Sequence, residues 1–154
     1  MKFKSMILLF LLIAMTACGD KKSEGNPTES AGEEPAMEEV NADPMANKGI
    51  GPISSVSLGE IDADLVAEGE VQFKAKCTAC HKISKRHIGP GLKGITERRS
   101  PEWIMNMILN PEEMVQKDPI AKQLLVEYNG APMANQNLTE DEARSILEYF
   151  RTKN

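Results

Sequence analysis

The chain has 154 residues, with 18 basic and 23 acidic side chains, a formal net charge of −5 and 5% aromatic residues. That length allows one modest domain with additional segments, and a domain of about 90 residues with so few rings has a thin core of its own. Residues 19–61 hold nine acids against three bases, and residues 62–154 hold fourteen against thirteen, so neither part is the basic domain that nucleic-acid binding requires.

Residues 1–17 read as an export signal. Lys2 and Lys4 precede the apolar run 6–14, which is too short to span a bilayer comfortably; a membrane anchor helix is the alternative. Met15-Thr16-Ala17-Cys18 resembles the lipobox of bacterial lipoproteins, with Met15 where that family usually has Leu. The resemblance implies that Cys18 is lipidated, becomes the mature N-terminus and holds the chain to a membrane. Residues 18–61 then form a lipidated cysteine followed by an acidic linker. This linker is rich in Glu, Ser, Pro, Gly, Asn and Ala, has acidic pairs at Glu33-Glu34 and Glu38-Glu39, and shows neither helical nor strand periodicity. Such composition predicts a disordered tether with a reach of roughly 35 Å. Within it, residues 50–58 are the candidate for a short docked segment.

Asp62 or Asp64 can cap a helix that runs toward Cys77. Gly69, Phe73 and Cys77 are four apart and share one face. A helical glycine costs about 1 kcal/mol relative to alanine, so Gly69 marks either a close helix crossing or a tolerated surface position.

That helix leads into Cys77-Thr78-Ala79-Cys80-His81, the attachment spacing of a c-type haem. On one helical turn the thiols at i and i+3 face the same side, so both can form thioethers to one porphyrin edge. His81 follows at once and can turn its imidazole under the ring as the proximal iron ligand. A zinc site or a dithiol redox centre also uses Cys-x-x-Cys. Zinc would need a carboxylate, because no cysteine follows Cys80 and the only other histidine is His87. A thioredoxin-like centre would need a βαβ pattern that is not visible. With two cysteines on haem and Cys18 on lipid, no cysteine remains for a disulfide.

The stretch from Gly89-Pro90-Gly91 to Gly94 is turn chemistry. A proline carbonyl there can accept a hydrogen bond from the second ring nitrogen of His81 and fix its tautomer. His87 lies in this loop, as a solvated side chain or, less simply, an iron ligand. Ser100-Pro101-Glu102 starts a helix with an apolar stripe of Trp103, Ile104, Met107 and Ile108. The Trp103 N–H needs a partner if buried, and a haem propionate is a candidate. Asp118-Pro119 starts another helix that stops at Asn129-Gly130. Thr139 with Glu142 forms a capping box for a last helix presenting Ala143, Ile146, Leu147 and Phe150.

From residue 62 to 154 the chain resembles a monohaem class I cytochrome c. The residues that carry the resemblance are Gly69 and Phe73 ahead of Cys77, Gly89-Pro90 after His81, the Met133 loop, and the final helix with Ile146 and Tyr149. It implies an all-α domain around one covalent haem c, first and last helices crossing with Gly69 at the contact, and the Pro90 carbonyl as the partner of His81. It also implies a methionine as second axial ligand. Met105 and Met107 lie in a helix stripe, where methionine is usually packing. Met133 sits on an irregular loop and is the expected ligand, with Met114 the next candidate. The family usually has proline after that methionine; here Ala134 follows and Pro132 precedes.

With His81 and Met133 on iron, substrate cannot reach the metal, so a non-enzymatic electron carrier is expected. A haem-bearing subunit of a larger oxidase or reductase and an open-site haem enzyme are the alternatives. Lys74, Lys76, Lys82, Lys85, Arg86 and Lys93 flank the motif, either as an ordinary solvated face or as a rim that steers redox proteins with acidic docking faces. The expected setting is the bacterial cell envelope, facing the periplasm, as a lipid-anchored monomer.

Overall fold

The computed structural model describes residues 43–154 and, among them, holds helices and no strand. The expected signal over residues 1–17, Cys18 with its lipid, and the tether up to residue 42 lie outside the described residues. None of the helices described is long and apolar enough to cross a membrane.

Helix α1 (Ala63–Lys76) starts on Asp62, whose side chain accepts from the Asp64 and Leu65 amides, and ends on Cys77. Helices α2 (Ile95–Arg98), α3 (Pro101–Leu109), α4 (Pro111–Lys117), α5 (Pro119–Glu127) and α6 (Glu140–Arg151) follow. Three have proline in the first turn, where the N–H it lacks would have had no intrahelical acceptor. The Ser100 and Asp118 caps form as expected, and so does the Thr139–Glu142 capping box. Asn129 and Gly130 take positive φ, 58° and 72°, and end α5 in left-handed backbone. At Asn110-Pro111 the chain ends α3. It starts α4 there, a helix of seven residues too short to display a period.

The dominant packing is α1 against α6. A Cβ on Gly69 would strike the backbone of Ser145 and Ile146, so the glycine is required by close approach of two backbones. Phe73 sits 5.5 Å from Tyr149 and 5.7 Å, edge-on, from Phe150, distances suited to aromatic pairing. Glu148 is fully buried on α6. It accepts from the Asp62 amide at 3.0 Å and pairs with Arg144 and Arg151. Ala143, Ile146, Leu147 and Phe150 are all buried.

The folded body begins well before Asp62. Residues 47–56 lie across α3 and α4 as a strap. Asn106 accepts from the Ile53 amide at 2.9 Å and donates to the carbonyls of Lys48 and Ile53, also at 2.9 Å. The Ile50 amide donates to the Met114 sulfur at 3.0 Å, and Glu102 accepts from the Val56 amide at 3.1 Å. Ile50, Ile53 and Val56, within the stretch 50–58 expected to hold a docked segment, are thus bonded to α3 and α4.

Candidate functional site

Because α1 ends on Cys77, the attachment motif continues as a single turn. The Cys80 and His81 amides both donate to the Cys77 carbonyl, at 3.1 and 2.9 Å. Cys77 is half-buried and Cys80 exposed, and no disulfide joins them. Burial, with the neighbouring Cys80 charge adding to it, pushes the Cys77 thiol up to about 11. A thiol held that high is not the activated thiolate of a dithiol redox centre. No group of three or more His, Cys, Asp and Glu converges for a metal among the described residues, which removes the carboxylate-completed zinc site there.

The next loop is pinned back onto the motif. The Gly89 amide donates to the Cys80 carbonyl at 2.9 Å, Leu92 to Lys82 at 3.1 Å and Lys93 to Ile83 at 2.7 Å. This registry puts the Pro90 carbonyl 3.1 Å from His81 Nδ1. A carbonyl only accepts, so Nδ1 carries the proton and Nε2 keeps its lone pair. Burial lowers the His81 pKa, and the Pro90 bond opposes that shift, so the ring is held neutral as a ligand must be. A Cβ on Gly89 would lie 2.5 Å from His81 Cε1, so the imidazole rests against bare backbone. His87 is exposed on this loop, as a solvated side chain.

The remaining candidates are placed as follows. Met133 is half-buried on the loop between α5 and α6 and packs against the same core as Cys77 and Ile83. Met105 is buried in α3, and Met107 packs against that core. Met114 is fully buried with its sulfur engaged by Ile50. Trp103 requires a correction: its Nε1–H donates to Asp118 Oδ1 at 3.1 Å, so the single donor of the indole already has an acceptor and does not serve a haem propionate. In the sequence, Asp118 marks only a helix start. The signal for its second role was the unpartnered indole itself, since a buried Trp N–H demands an acceptor.

Of the six bases flanking the motif, three find partners. Lys74 pairs with Glu70 at 2.9 Å and Lys82 donates to the Thr78 carbonyl at 2.7 Å. Arg86 reaches across to the end of α5, donating to the Glu127 carbonyl at 2.7 Å and covering the Tyr128 ring at 4.1 Å.

These residues fit a covalently held haem. Two thiols share one turn, and the imidazole beside them has its Nδ1 fixed by the Pro90 carbonyl. An all-α body with a Cys-x-x-Cys-His turn at the end of its first helix defines a small c-type haem protein. The family described as cytochrome c matches residues 66–153, and the chain belongs to it. The class I arrangement expected from the sequence is the one found. A cytochrome c domain carries covalently attached haem c, and Cys77 and Cys80 fit its attachment motif.

The chain is 51% identical to the cytochrome c from Rhodothermus marinus, with a TM-score of 0.64 over 66% of this chain and 88% of that one. An engineered form of the Rhodothermus marinus protein bound to a carbene intermediate matches at 51% identity and a TM-score of 0.62, over 66% and 88% of the two chains. The cytochrome c domain of a Pseudomonas putida protein matches at 31% identity and a TM-score of 0.51, over 55% and 85%. No curated protein matches.

Proposed function

We propose that this chain is a membrane-tethered electron carrier whose haem iron is held between His81 and Met133. The observation that carries the ligand choice is the state of Met114. Its sulfur is fully buried and accepts the Ile50 amide at 3.0 Å, whereas the Met133 sulfur accepts no hydrogen bond among the described residues and sits on irregular backbone. When bound, haem c supplies a one-electron Fe(II)/Fe(III) couple. His81 contributes an imidazole whose ring orientation and basicity are set by the Pro90 carbonyl. A neutral thioether opposite it favours the reduced metal. With His81 and Met133 both holding the iron, the chain would leave no open position for a substrate.

Tethering rests on Met15-Thr16-Ala17-Cys18 and places the domain on the periplasmic side of a bacterial envelope, where redox proteins with acidic docking faces meet its basic residues. The engineered relative bound to a carbene intermediate is the observation behind a second reading, an open-site haem enzyme.

Met133→Ala and Met114→Ala separate the two. The wild-type oxidised protein is expected to show a weak near-infrared sulfur-to-iron band, and the reduced protein to resist carbon monoxide. Met133→Ala abolishes the band, opens the site and lowers the potential. Met114→Ala keeps the band and loses stability, by about 2–5 kcal/mol as for other buried Met truncations. Ready carbon monoxide binding by the wild-type protein at neutral pH transfers the case to the open-site reading.

A further inference from the structure

Beside the proximal loop lies a cleft of about 350 Å³ whose lining includes Ser84, Lys85, Arg86, Lys93, Arg98 and Tyr128, and no acidic residue. We propose that it binds a small soluble polyanion with two adjacent anionic groups, of the pyrophosphate type. Two of its cations are fixed in place. Arg98 donates from Nε to the Gly94 carbonyl at 3.2 Å and from Nη2 to the carbonyls of Gly91 and Lys93 at 3.1 and 3.0 Å. Arg86 is held by the Glu127 carbonyl and the Tyr128 ring. Each binds its carbonyl partners without losing its charge, and a guanidinium retains further donors for an anion.

The other two cations are open. Lys85 and Lys93 are exposed at the rim and form no ion pair among the described residues. Two acids stand nearby. Glu127 lies 3.8 Å from Arg86 and offsets that one charge, and Glu97 flanks Gly94. The lining itself stays strongly positive, with the Ser84 and Tyr128 hydroxyls available as neutral donors. The depression is shallow and open to solvent, so a ligand there is held by charge rather than by enclosure, and the preset guanidiniums and hydroxyls suit adjacent anionic oxygens better than a single carboxylate.

Pro90, whose carbonyl holds His81, forms part of the same wall. An anion in the cleft therefore lies close enough to the redox centre to stabilise the oxidised state through its charge.

The test is titration of the holoprotein with pyrophosphate at constant ionic strength, followed by calorimetry and by the reduction potential. One saturable site is expected, with a potential that falls and half-saturates at the same concentration. Lys85→Glu with Lys93→Glu should weaken binding at least tenfold, while Lys122→Glu, on the exposed face of α5, should leave it within twofold. These are surface substitutions, and circular dichroism with the visible spectrum verifies that the variants are folded holoprotein. Three results overturn the proposal: no saturable binding, equal weakening by Lys122→Glu, or saturable binding of tetraglutamate with none of pyrophosphate. Axial ligation is read from the near-infrared band independently of all three.

Discussion

Asp118 is one buried carboxylate with three jobs. Its Oδ1 accepts from Trp103 Nε1 at 3.1 Å and from the Ala121 amide at 2.8 Å, and its Oδ2 accepts from Asn47 Nδ2 at 2.7 Å. One side chain thus caps α5, orients the indole of α3 and fastens the start of the strap. Removing a shared acceptor strands all of its donors, and each buried unsatisfied group costs about 1–3 kcal/mol. Asp118→Ala is expected to lower unfolding free energy in denaturant by about 3 kcal/mol or more. Trp103→Phe should cost less, because the carboxylate keeps its other donors. If the indole serves Asp118, Trp103→Phe leaves the reduction potential essentially unchanged; a clear shift would return it to the propionate. At this scale the sequence was legible wherever chemistry demands contiguity. Cys77, Cys80 and His81 can be read together because the thioethers and the proximal ligand must share one turn. The Asp118–Trp103 bond was not legible, since a cap signal is local and gives no hint of what the second oxygen meets.

The helices that could be read were those long enough to show a period or sharply capped: α1, α3, α5 and α6. The strap carries neither mark. Its bonds run to Asn106 and Met114, more than fifty residues away in the chain, and its own composition is that of a linker, so the first boundary signal in the sequence is the cap at Asp62. Gly69 by itself left a close crossing or a surface position open, and only the family resemblance named α6 as the partner; the buried charge that locks the crossing was not legible at all. Burial alone would raise the pKa of Glu148; bonds from Arg151, Arg144 and the Asp62 amide outweigh it and hold the carboxylate below its ordinary value. Arg151 also donates to the Gly59 carbonyl at 2.8 Å, which ties the chain leading into α1 to the same cluster. A folded pKa below the unfolded one means that stability is fully present above the unfolded value, about 4.3, and is lost as pH falls through the lower folded value. Melting the holoprotein between pH 7 and pH 3 is expected to show this loss, and Glu148→Gln should flatten the pH dependence across that window. At neutral pH the same variant strands two partly buried arginines and should cost about 3 kcal/mol, the lower end for a broken buried pair. A wild-type pH slope retained in Glu148→Gln would assign the acid sensitivity to other carboxylates.

Over the whole chain, charge is unevenly distributed. Residues 62–154 are nearly neutral in sum, fourteen acids against thirteen bases, yet the lining of the proximal cleft is purely cationic among its charged residues. The excess acidity is carried by residues 19–61. A carrier bound to a membrane gains encounters by effective concentration rather than by affinity, provided that its linker can span the distance to the partner. Cys18 is the proposed anchor, because Met15-Thr16-Ala17-Cys18 resembles a lipobox. One myristoyl-type chain binds only marginally and stable anchoring takes more than one, so lipidation should appear as a near-complete shift between fractions. Expressed with its haem-attachment machinery, the wild-type chain is expected in the membrane fraction, resistant to high-salt washing and released by detergent, with mass spectrometry finding an acylated N-terminus at Cys18. Cys18→Ser should leave the visible spectrum and the near-infrared band unchanged while the acyl mass disappears. A wild-type protein that remains soluble and begins at another residue would remove the anchor and leave a free carrier with the same haem site. Should Cys18→Ser stay on the membrane with no acyl mass, residues 1–17 are themselves the anchor, and the export signal is a retained helix.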